Sequence, residues 1–99
     1  MKSRIVRGAY VIVRSAQSGV HAGILERRDG TEVVLRDSRR IWYWKGAATL
    51  SELALRGPAC PVECRFAAPL PEILVLGVCE IIPAAGGRTA IEAVPEWEA

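Results

Sequence analysis

Residues 20–36 read Val20-His21-Ala22-Gly23-Ile24-Leu25-Glu26-Arg27-Arg28-Asp29-Gly30-Thr31-Glu32-Val33-Val34-Leu35-Arg36. Two runs, Val20 to Arg28 and Thr31 to Arg36, flank Asp29-Gly30, the dipeptide that best tolerates the positive φ angles of a two-residue hairpin turn. Counting back from that turn pairs Arg27 with Glu32 on one face, and Glu26 with Val33 and Ile24 with Leu35 on the other. A β-hairpin at the centre of the chain is the expectation from which the rest is read.

Upstream, Tyr10-Val11-Ile12-Val13-Arg14 has the β-branched enrichment of a strand, and Ser15-Ala16-Gln17-Ser18-Gly19 is small, polar and turn-prone. Downstream, Asp37-Ser38 predicts a second tight turn, so that Arg39 to Trp44 returns beside Thr31 to Arg36 as the third strand of a meander. Thr49-Leu50-Ser51-Glu52 is a capping box that opens a helix of about two turns, with Leu50, Leu53 and Ala54 on one face and Gly57-Pro58 as its stop. Four prolines punctuate residues 58–71, where Glu63 to Ala67 is expected to be a short edge strand. Glu72 to Ile82 reads as one long or bent strand, buried on both faces, with a bulge at Gly77. Beyond Pro83, Ala84-Ala85-Gly86-Gly87 reads as a linker to a short strand or acidic tail whose Trp97 is free to dock on a neighbouring subunit. The fold class that results is mostly β (α+β), a small antiparallel sheet or partly open barrel with one short helix. One domain spans residues 1–99, with 1–9 as an N-terminal extension and 84–99 as linker and C-terminal tail.

Composition narrows the function classes. The chain has 99 residues, of which 51% are hydrophobic and 24% charged, more apolar surface than one small core readily hides, which predicts a homo-oligomer. A net charge of +2 is too small for a protein that coats DNA through many phosphate contacts, although basic residues concentrate before position 46. Cys60, Cys64 and Cys79 lie in a chain without a recognisable signal peptide, so reduced thiols and a cytoplasmic location are expected. Cysteine spacing is wrong for a zinc knuckle and His21 is the only histidine, so no metal site is expected. Neither a phosphate-binding glycine loop nor a nucleophile motif is present, which predicts a non-enzymatic protein with no cofactor.

Arg39-Arg40-Ile41-Trp42-Tyr43-Trp44-Lys45-Gly46 packs three of the six aromatics and three of the thirteen basic residues into eight positions. In an extended strand Arg40, Trp42 and Trp44 share one face, and Arg39, Ile41, Tyr43 and Lys45 share the other. Indole beside guanidinium stacks on a planar base and neutralises a phosphate. Equally, Trp42 and Trp44 are suited to be core or interface anchors. His21 suits either a ligand hydrogen bond or a structural place in its strand, and the loop before it, Ser18 included, is a candidate contact.

Val13-Arg14-Ser15, Ser18-Gly19-Val20-His21-Ala22-Gly23, the strand Arg39 to Ala47, Thr49-Leu50-Ser51-Glu52-Leu53-Ala54 and Glu80-Ile81-Ile82-Pro83 together resemble a family of small phage and prophage proteins of unassigned function. The resemblance covers residues 11–83. By analogy with other phage proteins of this size, it implies a sponge that sequesters a cyclic oligonucleotide or cyclic ADP-ribose-like immune signal, with no membrane partner. Arg14, Ser18, His21, Arg39, Arg40, Trp42 and Trp44 are then the expected ligand contacts, arginine for phosphate and tryptophan for the base. The alternative is a phage module that binds nucleic acid or joins virion assembly through the same strand.

Overall fold

The computed structural model describes residues 3–98. It holds six strands, β1 (Tyr10–Ser15), β2 (Gly19–Asp29), β3 (Glu32–Tyr43), β4 (Arg65–Phe66), β5 (Leu70–Val75) and β6 (Val78–Pro83), and two helices, α1 (Leu50–Arg56) and α2 (Arg88–Glu92). The strands form one antiparallel sheet in the order β4-β3-β2-β1-β6, with β5 also beside β3. The expected class, mostly β with an antiparallel sheet and a short helix, is the one observed.

The central hairpin is present, but its turn is Gly30-Thr31, because Asp29 faces Glu32. That turn pairs Arg28 with Val33 and Arg27 with Val34; a register shift between Leu25 and Arg27 then pairs Leu25 with Leu35 and Ile24 with Arg36, and a second, between Ala22 and Ile24, pairs Ala22 with Arg39. The charge pairing changes accordingly. Glu26, expected opposite Val33, instead binds Arg36 across the ladder and Arg7 from the preceding segment. Their hydrogen bonds, that of Arg36 foremost, hold its carboxyl below the usual glutamate range.

Asp37-Ser38 is not a turn. β3 runs straight through it as a twelve-residue strand, and Asp37 takes up a positive φ of 50°. A residue type that tolerates that conformation serves a bulge as well as a turn, and here the bulge switches which side of β3 is buried: Val33 and Leu35 pack on one face, Ile41 on the other.

Residues 72–82 are likewise not one strand. Leu76-Gly77 breaks the run, with Gly77 at φ 65°, into β5 beside β3 and β6 beside β1. Those positions lie on opposite sides of the strand order, so a two-residue connection requires the sheet to curl; the Val78 amide donates to the Thr31 carbonyl at 2.8 Å across the gap. β5 is an edge strand, and most of it is exposed rather than buried on both faces.

Curling produces two apolar clusters. Val11, Val13, Leu25, Val33, Leu35, Val75 and Val78 fill one face of the sheet, with Ile5 and Ala9 packed against them. Residues 8 and 9 also exchange backbone hydrogen bonds with Leu25, so the expected extension is tied to the sheet from at least that point. Tyr10, Ile12, Ala22, Ile41 and Phe66 form the other cluster with Leu53 of α1 and Ile91 of α2. Each fully buried side chain of this size contributes about 1.5–3 kcal/mol relative to exposure.

α1 starts where its cap predicts: Thr49 Oγ1 accepts from the Glu52 amide at 3.2 Å, and the Gly57 amide closes on the Leu53 carbonyl. Residues 84–94 are packed structure rather than a linker, whereas residues 95–98 are exposed. Ala84, Gly87, Ile91 and Val94 are buried, and residues 88–92 are helical. Gly86 and Gly87 do not make a flexible linker; a Cβ on Gly87 would sit 2.5 Å from the Leu53 carbonyl oxygen, so glycine lets this segment lie against the end of α1. Met1, Lys2 and Ala99, at the tips of the expected extension and tail, lie outside the described residues.

Candidate ligand-binding surface

Arg39 and Arg40 leave β3 on opposite faces, as the two-residue period requires. Arg39 goes inward. It is 4% exposed, and its guanidinium donates to the carbonyls of Ala67, Ile91 and Val94 at 2.9, 3.0 and 2.7 Å and more weakly to Phe66 at 3.4 Å. Burial lowers its pKa from the usual arginine value, yet an arginine remains a cation at any physiological pH. The expected phosphate ligand is thus a tie between β3, β4 and the end of α2. Sequence alternation separates the two arginines but does not say which one meets this ring of buried carbonyls.

Arg40 stays exposed, with one long hydrogen bond from Nη1 to the Ser18 carbonyl, 3.5 Å, and no ion pair among the described residues. The same carbonyl accepts from His21 Nε2 at 2.9 Å, so the structure does bring Ser18, His21 and Arg40 together. His21 is completely buried, however, and so is the Ser18 hydroxyl. A carbonyl can only accept, so Nε2 carries the hydrogen and Nδ1 is the bare acceptor; neither it nor the Ser18 hydroxyl has a protein partner. Burial, chiefly, holds the His21 pKa below its ordinary value; the neighbouring Arg40 charge adds to this, and the bond to Ser18 opposes it. His21 is thus held in the interior, where the neutral form is favoured.

Arg14 does not join them. It sits in the row Arg14–Val20–Ile41, one position from the row Val13–His21–Arg40, so it projects from the other face, where Glu80 holds it at 3.1 Å. Trp44 leaves the shared face and takes the core place that its sequence equally allowed. The strand ends at Tyr43 after a register shift beside β4, and alternation is lost; Trp44 packs on the helix-side core and its Nε1 donates to the Ala47 carbonyl at 3.2 Å.

Trp42 remains on the surface, 60% exposed. Trp97 stacks on it, ring centroids 5.0 Å apart and planes 18° from parallel. The Arg65 guanidinium lies 5.2 Å from the centroids of both rings and 5.9 Å from that of Tyr43. Arg65 and Trp97 were not among the residues expected at the site. Arg65 could have been placed there from the edge-strand reading of Glu63 to Ala67, had its neighbour in the sheet been known to be the end of β3; Trp97 carried no such signal. The result is an open aromatic platform with one cation, Arg65, that no carboxylate neutralises among the described residues, while Arg40 stands apart beside the Ser18 carbonyl.

Neither of two shallow depressions touches this platform. One, of about 210 Å³, is lined by Ile5, Arg28, Thr31 and Cys79 among others; the second, of about 270 Å³, by Tyr10, Asp37, Arg39, Pro69 and Glu92. In the second, burial above all, with help from Glu92, pushes the Tyr10 phenol up to about 12, while Arg88 lies 5.0 Å over its ring. No group of three or more His, Cys, Asp or Glu that could hold a metal occurs among the described residues, and no helix there is long and apolar enough to cross a membrane.

A family model described as a domain of unknown function, DUF6948, matches residues 8–93. The chain belongs to that family. Trp42, Tyr43 and Arg65 lie within the DUF6948 region and Trp97 lies beyond it. No curated protein and no solved structure matches the chain.

Proposed function

We propose that this DUF6948 protein is a non-catalytic binding module for a small anionic nucleotide-type ligand, held on the platform of Trp42, Tyr43 and Arg65. The observation that carries the reading is Arg65 poised over two exposed, stacked indoles. An exposed indole offers a face to any base, worth about 1–3 kcal/mol by alanine substitution, and an unpaired guanidinium takes phosphate oxygens in a bidentate fork. Sequestration of a cyclic oligonucleotide or cyclic ADP-ribose-like signal by a phage protein adds to this what the sequence resemblance implies. Enclosing such a ligand on an open platform needs a second copy of the chain, which fits the apolar side chains of Leu70, Leu74 and Leu76 left exposed on and after β5.

The openness of the platform favours one second reading, a single strand of nucleic acid laid across it. Calorimetric titration at several salt concentrations tests both. A cyclic dinucleotide that binds with a shallow salt dependence, and that Trp42→Ala weakens, supports the first; an oligonucleotide with a steep log-log slope supports the second. Failure of both to bind would end the nucleotide reading.

A further inference from the structure

Glu96-Trp97-Glu98 follows α2 and carries a flat aromatic ring between two carboxylates, the same chemistry as a base flanked by phosphates. Trp97 lies against Trp42, and Arg65 is equidistant from the two rings at 5.2 Å. The segment adds to the free side of β4 in the manner of a bound peptide: Glu96 makes a parallel bridge with Phe66, and the Trp97 amide donates to the Phe66 carbonyl at 2.9 Å. Its hold is light. Trp97 stays 48% exposed, Glu96 and Glu98 are exposed, and the last buried residue before them is Val94, followed by Pro95. Trp42, Tyr43 and Arg65 belong to the family region, whereas this occupant lies outside it.

We infer that residues 96–98 are an internal competitor for the platform, covering a face of Trp42 with Trp97, so that a nucleotide-type ligand binds by displacing Trp97. The inference rests on the binding reading above. Its consequence is a threshold: apparent affinity is the intrinsic affinity multiplied by the fraction of molecules with the segment undocked. With a tenth of molecules undocked, the intact chain binds about tenfold more weakly than one lacking the ring.

The test titrates cyclic di-AMP into the intact chain, Trp97→Ala and Trp42→Ala, and follows hydrogen exchange at the Trp97 amide with and without the dinucleotide. Competition predicts binding tighter by about tenfold for Trp97→Ala, weaker binding for Trp42→Ala, and loss of Trp97 amide protection when the intact chain is saturated. Weaker or unchanged binding in Trp97→Ala, with Trp42→Ala still weakened, makes Trp97 a wall of the site or a bystander; that overturns the competition and leaves the binding surface standing. Equal binding by the intact chain and Trp42→Ala, or no binding by any of the three, overturns the surface and the competition together.

Discussion

His21 Nε2 donates to the Ser18 carbonyl at 2.9 Å while the Nδ1 of the same ring, fully buried, faces no protein donor. Protonation would therefore strand a second N–H in the interior. Because the folded-state pKa lies below the unfolded value of about 6.5, the unfolded chain binds the extra proton first as pH falls. Stability from this residue is complete above that value and declines below it, by up to about 1.4 kcal/mol per pH unit, until the folded pKa is passed. Urea denaturation between pH 7 and pH 5 checks this: the midpoint should drop with pH, and His21→Gln should flatten that part of the profile. An equally steep decline in His21→Gln would assign it to another group.

Arg39 and Arg40 give a paired prediction. Arg39→Met leaves the Ala67 and Val94 carbonyls without their donor and takes one partner from those of Ile91 and Phe66, at about 1–3 kcal/mol for each group that water cannot reach, so a loss of about 3 kcal/mol or more is expected. Arg40→Ala removes one long, exposed bond and should stay within about 0.5 kcal/mol of the parent. Equilibrium unfolding of both variants decides the matter, and similar values for the two would mean that Arg39 is not the tie it looks to be.

Thr49→Ala removes the one side-chain cap of α1, whose 3.2 Å bond to Glu52 is the cap's measurable content. The expected loss is about 1 kcal/mol. A melting temperature equal to the parent's would show that the first turn of α1 does not limit stability.

What the sequence disclosed depended on whether a residue pattern had one structural meaning or two. The capping box before Leu50 and the glycine after Arg56 have one, and α1 occupies the expected residues. Asp29-Gly30 marked the hairpin, but the turn falls one residue later, at Gly30-Thr31, and the shifts after Ala22 and Leu25 move the register further along, since period-two counting cannot register an extra residue. Asp37 had two meanings, turn or bulge, and so did Gly86-Gly87, linker or close contact; only long-range packing chose. At the site, alternation correctly separated Arg39 from Arg40, yet the inward one was decided by carbonyls of residues 66, 67, 91 and 94, far along the chain. Arg65 and Trp97 reach Trp42 by the same long-range route.

The two tryptophans of β3 and its end, first read as one face, should now respond differently to truncation. Trp44 packs on the core formed with α1 and α2 and bonds Ala47, so Trp44→Ala should cost about 3 kcal/mol, the lower part of the range for a buried indole. Trp42 is 60% exposed and its main protein contact is the Trp97 ring, so its loss should cost about 0.5–1.5 kcal/mol, the worth of an aromatic pair. A double-mutant cycle isolates that pair: Trp42→Ala and Trp97→Ala should be non-additive by the same amount, whereas Trp44→Ala and Trp97→Ala should add independently. If Trp42→Ala alone were to unfold the chain, Trp42 would be a core residue and no ligand could use its face.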